Sequence, residues 1–254
     1  MLADILAVLC GSLVGFILAL IGGGGSILAT PLLLYVVGLR DPHVVIGTGA
    51  LAVSANAFIN LGHHARAGHV RWAVGGVFAF AGVCGAFAGS TLGKAVDGQR
   101  LLLAFAGLMI VVAVLMLRPR RDIGDGATAL DVRRSLGVGG TGLAVGLLSG
   151  FFGIGGGFLI VPGLILATRM RLINAIGTSL LAVGAFGLTT ALNYAWSGLV
   201  DWKVAGEYIA GGLIGGQIGL HAAVHLAKRK HTLNLVFAGV IMLVAGYMIY
   251  RGTV

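Results

Sequence analysis

Long apolar runs, broken by short polar stretches, fill this chain from end to end. The runs are continuous and lack the alternation of a half-buried strand or a lipid-facing barrel strand. They predict helical segments at roughly 2–21, 26–39, 43–62, 71–93 and 100–117, then at 136–152, 157–168, 173–193, 202–226 and 231–250. The expected fold is all-α, a polytopic helical membrane protein with two repeated halves of five segments each. The second segment of each half is short. Fourteen residues of helix rise only about 21 Å, against about 30 Å of hydrocarbon. Such a segment can begin inside the membrane.

The two halves repeat each other. A shift of 131 residues lays Gly22, Gly24, Gly25, Leu28 and Pro31 on Gly153, Gly155, Gly156, Leu159 and Pro162. One residue less aligns Ile46-Gly47-Thr48 with Ile176-Gly177-Thr178, and Leu51-Ala52-Val53 with Leu181-Ala182-Val183. Gly68 and Trp72 then meet Gly198 and Trp202, and Gly82, Gly85 and Gly89 meet Gly212, Gly215 and Gly219. Matches spread this widely at nearly constant offset indicate duplication. The expected division is 1–117, a linker 118–135, and 136–254.

The repeat is densest at two glycine runs, Gly22-Gly23-Gly24-Gly25-Ser26 and Gly153-Ile154-Gly155-Gly156-Gly157. Each lies between apolar segments, so each puts irregular backbone at membrane depth. Such backbone is tolerated there only when buried in protein or lining a cavity. Equivalent breaks in two halves point to a transporter's binding site. A glycine loop leading into a helix presents free N–H groups and the positive end of the helix dipole, which together suit an anion. Ser26 sits at an N-cap position and can add a hydroxyl; Gly157 takes the equivalent place. Tight packing of crossing helices is the competing use of these glycines. A nucleotide loop is excluded, because no Gly-Lys-Ser or Gly-Lys-Thr follows.

Charge adds topology. Only 10% of residues are charged and mean hydropathy is +1.02, while net charge is +9. In such a chain, basic residues mark cytoplasmic loops rather than a nucleic-acid surface. If the first two segments of each half form a hairpin, twelve basic residues fall on one side and five on the other. If they form one broken span, the bias vanishes. The hairpin gives each half an odd number of crossings and makes the repeats inverted. The termini then lie outside and the arginine-rich linker lies in the cytoplasm of a multi-pass inner-membrane protein. No cleavable signal peptide is evident, since Asp4 is the only early charge.

Other polar residues inside the apolar segments are few. Thr48, and Thr178 with Ser179, open the third segments; their hydroxyls can donate to an anion or bond back to helical carbonyls. Asn56 and Gln217 are deep, and can line a route or join two helices. Glu207 is a candidate proton carrier with Gln217 on the same segment. Alternatively it is interfacial and paired with Lys203. His221 and His225 share a helix face, but without Cys, Asp or Glu nearby they do not make a metal site. Cys10 and Cys84 read as packing residues. No cofactor motif and no catalytic constellation is present.

The paired Gly-x-Gly-Gly-[Ser/Gly]-[Ile/Phe]-Leu…Pro loops, the Ile-Gly-Thr runs and the Gly-Trp spacing resemble the TauE/SafE sulfite exporter family, over nearly the whole chain. The resemblance implies a transporter, not an enzyme, for small sulfur-containing anions such as sulfite or organosulfonates, with export driven by an ion gradient. An anion channel and a non-transporting membrane subunit or sensor stay open beside it. The expected partners are the anion and the lipid bilayer, without nucleic acid. The apolar outer faces leave a homo-oligomer open.

Overall fold

Helix ends fall where the sequence places capping chemistry. Asp41 precedes Pro42, and its carboxylate accepts a hydrogen bond from the His43 N–H at 2.8 Å, so a helix starts there. Asp97 and Asp201 do the same for later helices through the N–H groups of Arg100 and Val204. Gly68 and Gly198 adopt left-handed φ values of 72° and 71° in the turns before Trp72 and Trp202. That backbone requirement explains the repeated Gly-Trp spacing.

The computed structural model describes residues 2–21, 23–117, 132–153, 155–226 and 230–253. Among these residues there are ten α-helices and no strand. They are α1 (Leu2–Ile21), α2 (Ala29–Leu32), α3 (Pro42–Arg66), α4 (Trp72–Ala95), α5 (Gly98–Leu117), α6 (Val132–Phe152), α7 (Gly157–Thr168), α8 (Leu172–Trp196), α9 (Trp202–Leu226) and α10 (Lys230–Thr253). Six of the helices contain stretches long and apolar enough to cross a membrane. Helix α6 starts at Val132, inside the stretch 118–135 expected as a linker. The short second segment, expected at 26–39, is instead three pieces in series: a 3-10 helix Gly23–Leu28, α2, and a π-helix Leu33–Val37. Three glycines weaken its start, and Pro31 removes an intrahelical N–H, so no single helical pitch runs through it. Gly38 ends it with φ 88°, and its counterpart Arg169 ends α7 in the same left-handed region at φ 57°.

The helices pair reciprocally. Helix α1 packs along α9, and α4 packs along α6; α3 crosses α8, and α5 lies against α10. Under the repeat shift each pairing maps onto another or onto itself. Glycine makes the first two contacts. A Cβ added to Gly11 or Gly15 would land on the carbonyls of Tyr208 or Gly212, and one on Gly142 or Gly146 on those of Phe78 or Gly82. In the reverse direction, Gly215 faces Ser12 O and Gly85 faces Leu143 O. Backbones this close are reached only without side chains.

At the centre, Ser54 Oγ donates to Gly184 O at 2.7 Å. Both residues are the middle residue of a 25-residue helix and are equivalent under the shift. The two helices run antiparallel. Thr48 near the start of α3 reaches Asp201 beyond the end of α8, and Thr178 near the start of α8 reaches Arg71 beyond the end of α3.

Replacing Gly146 by Leu is expected to lower stability by about 2 kcal/mol or more, since overpacking here pushes on backbone that cannot move. Gly107, which has open space at its Cβ position, is expected to tolerate Ala within about 0.5 kcal/mol. Thermal unfolding in detergent measures both; equal effects would refute the close-packing account.

Candidate functional site

The second glycine loop is the better defined of the two. Gly153, Gly155 and Gly156 have φ values of 66°, 66° and 65°. Gly156 is the left-handed N-cap of α7. Its carbonyl accepts from the N–H groups of Leu159 and Ile160 at 2.9 and 3.0 Å. The N–H groups of Gly157 and Phe158 come before the first intrahelical acceptor, so the helix leaves them without a partner of its own. A Cβ on Gly155 would meet Val53 Cγ1 at 3.2 Å and Val183 Cγ1 at 3.4 Å; one on Gly153 would strike Ile46 Cγ2. The loop thus sits at the crossing of α3 and α8, near the middle of both helices. Ile154 lies outside the described residues.

The first loop approaches from the other half: its 3-10 helix Gly23–Leu28 packs against α7 and touches α8. Gly22 lies outside the described residues; Gly24, Gly25 and Ser26 belong to that 3-10 helix. Ser26 is fully buried but is not an N-cap. The residue before α2 is Leu28, with helical dihedrals and no side-chain cap bond. The 3-10 helix carries the chain into α2 without the extended residue that a cap needs, which corrects the N-cap reading of Ser26.

Gly25 and Gly156 have matching tasks. A Cβ on Gly25 would lie 2.7 Å from Leu18 N and 2.8 Å from Val14 O. One on Gly156 would lie 2.6 Å from both Cβ and Oγ of Ser149. Leu18 and Ser149 are equivalent under the shift. Each loop therefore folds back onto the helix before it, and one half meets main-chain atoms of Leu18 and Val14 where the other meets the Ser149 side chain. Ser149 is fully buried, and its Oγ has no hydrogen-bond partner among the described residues. The sequence pattern does not single out Ser149, and marks Ile46, Val53 and Val183 only as repeat matches, not as site residues. The available signal was the break in the repeat, Ser149 opposite Leu18.

Apart from Asn56, the remaining candidates fall elsewhere. Thr48 Oγ1 accepts from the Asp201 N–H at 2.9 Å, and Thr178 Oγ1 accepts from the Arg71 N–H at 3.0 Å. Both brace a loop of the opposite half. Ser179 Oγ donates back to Ile176 O at 2.7 Å. Asn56 is buried against Gly212, and neither its Oδ1 nor its Nδ2 has a partner among the described residues. Gln217 Nε2 donates to His63 Nε2 at 3.1 Å, and His221 Nδ1 donates to Gln217 O at 2.8 Å. Glu207 Oε1 lies 3.6 Å from Lys203 Nζ, whose closer contact is Asp4 at 2.6 Å. Glu207 is thereby tied to a charged group near the start of α9, while its Oε2 is buried without a hydrogen-bond partner among the described residues. At the far end of α8, Lys94 Nζ donates to Asn193 O, Asn193 Oδ1 and Ser197 Oγ at 3.0, 2.8 and 2.9 Å.

Gly156→Ala is expected to cost about 1–2 kcal/mol from the left-handed backbone alone, with the overlap on Ser149 added. Combining it with Ser149→Gly should recover the overlap part only, read as a coupling in a double-mutant cycle of thermal unfolding. Thr178→Val is expected to cost about 1–3 kcal/mol by orphaning the Arg71 N–H, while Thr178→Ser stays close to the parent.

Residues 7–248 match the family described as sulfite exporter TauE/SafE. A probable membrane transporter protein of Xylella fastidiosa (strain 9a5c) is 56% identical over 242 residues, covering 95% of this chain and 93% of that one. The probable membrane transporter protein YunE of Bacillus subtilis (strain 168) is 26% identical over 271 residues, 98% of each chain. A second protein of that strain, the probable membrane transporter protein YdhB, is 24% identical over 225 residues, 86% of this chain and 88% of that one. No solved structure matches. With its apolar helices and a match over nearly its whole length, the chain belongs to the sulfite exporter TauE/SafE family of membrane transporters rather than to the enzymes.

Proposed function

We propose that this protein is a secondary transporter that exports a small sulfur-containing anion, sulfite or an organosulfonate, across the inner membrane. The anion is held between Gly24–Ser26 of the first loop and Gly155–Gly157 of the second. The observation that supports this is the packing of α7, whose glycine loop sits between Val53 of α3 and Val183 of α8, against the 3-10 helix of the first loop. Helix starts aimed at a midplane site provide N–H donors and dipole charge without a fixed ion. Asn56, one turn beyond Val53 on α3, adds a buried amide close to that level.

The two halves are inverted repeats, 1–117 and 136–254. The antiparallel course of α3 and α8 and the reciprocal pairing of α1 with α9 and α4 with α6 support this. Rocking of one repeat against the other then exposes the site to each side in turn. Thr48 and Thr178 hold the loops that close its two ends. The basic residues favour termini outside and the linker 118–135 in the cytoplasm.

In proteoliposomes, internal unlabelled sulfite is expected to accelerate entry of labelled sulfite several-fold, because a carrier returns faster when loaded. A channel gives no such acceleration, and a subunit or sensor gives no flux. Orientation is checked with Asp125→Cys in a background where Cys10 and Cys84 are Ala. An impermeant maleimide should label it only from the cytoplasmic side.

A further inference from the structure

The site is built from neutral donors. Among the described residues, every Lys and Arg lies in a loop or in the first or last turn of a helix. None reaches the level of Ser54 and Gly184. The walls at the second loop are the β-branched side chains of Ile46, Val53 and Val183. An ion entering such a place exchanges water for N–H dipoles, hydroxyls and hydrocarbon. The desolvation cost of an ion grows with the square of its charge, whereas its attraction to fixed dipoles grows only linearly. A dianion with no cation to meet it is therefore penalised far more than a monoanion.

Ser149 places a side-chain hydroxyl beside this loop. A hydroxyl inside an apolar helix ordinarily bonds back to a carbonyl of the previous turn. Thr141, Thr168 and Thr189 do so here, at 2.8, 2.6 and 2.8 Å. Ser149 does not, although it is fully buried. Its Oγ instead faces Gly156, the cap of α7, directly before the N–H groups of Gly157 and Phe158. A buried hydroxyl held out of its own helix beside a free helix start is placed for an external acceptor. The other half has Leu18 at this position, so the hydroxyl belongs to one loop only.

We propose that Ser149 Oγ–H donates to the bound anion at the start of α7, and that this neutral site selects singly charged sulfur oxyanions, hydrogen sulfite or a monosulfonate, over dianions such as sulfate. This rests on the transport reading above. The test is inhibition of labelled-sulfite counterflow in proteoliposomes by methanesulfonate, a fixed monoanion, and by sulfate, a fixed dianion. The parent protein should be inhibited by methanesulfonate at concentrations at least tenfold lower than by sulfate. Ser149→Ala should raise KM for sulfite and the inhibitory concentration of methanesulfonate by about tenfold, as expected for a lost hydrogen bond to an ion. Its maximal rate should stay within about twofold of the parent's. Ser149→Cys, of similar shape but a weak donor, should fall between them. A purely structural Ser149 would change the amount of folded protein and the maximal rate, without changing KM. Parent-like KM and selectivity in Ser149→Ala overturn its role as donor. Equal inhibition by sulfate and methanesulfonate overturns the charge class. Absence of sulfite counterflow in the parent overturns the transport reading itself, which separates the two failures.

Discussion

Backbone-to-backbone contact at glycine is the interaction on which the rest of this structure depends. Lipid offers apolar side chains no reason to leave it, so helices in a membrane associate through close packing and polar contacts. Here Gly11 and Gly15 on α1, and Gly142 and Gly146 on α6, lie against main-chain atoms of α9 and α4. Facing glycines on α9 and α4 let the approach run in both directions. Short C–H···O contacts are available at such distances and add to the dispersion energy. Two helix pairs fixed this way frame the crossing of α3 and α8.

That crossing is where the two halves are most alike in backbone and least alike in side chains. Val53 and Val183 flank the same glycine, and Ser54 meets Gly184. Around them the pairs diverge: Asn56 stands opposite Phe186, Ser149 opposite Leu18, and Ser26 opposite Gly157. Symmetry in the frame and asymmetry in the lining serve different needs. Similar halves allow two arrangements of similar energy, which alternating access requires. In the transport cycle proposed above, unlike linings would let one half hold the anion more than the other. The ends differ as well. Lys94 crosslinks α4 to the last turn of α8 through Asn193 and Ser197, while its counterpart region joins α3 to α9 through His63 and Gln217. The first is an ammonium held by three acceptors; the second is an amide-to-imidazole bond.

The sequence by itself determined the helical class, the segment count and the repeat, because these rest on apolar run length and on residue identities that recur at one offset. It also located the glycine loops, since irregular backbone between apolar runs is tolerated at membrane depth only where it is buried in protein or lines a cavity. It could not separate the two uses of those glycines, and the structure shows the packing use. Gly25 and Gly156 are needed for packing onto Leu18 and Ser149, while Gly157 opens a helix whose first N–H groups have no intrahelical partner. Thr48 and Thr178 were legible as a repeated pair, but only the fold decided that their partners are Asp201 and Arg71 of the opposite half. Those bonds join residues 153 and 107 positions apart, a separation that local pattern does not encode. Ser149 was hidden for the same reason. A serine in an apolar helix reads as self-satisfied until tertiary packing shows where its hydroxyl is held. Identity and spacing are properties of the chain, whereas the partner of a buried polar group is a property of the three-dimensional neighbours that exclude water from it.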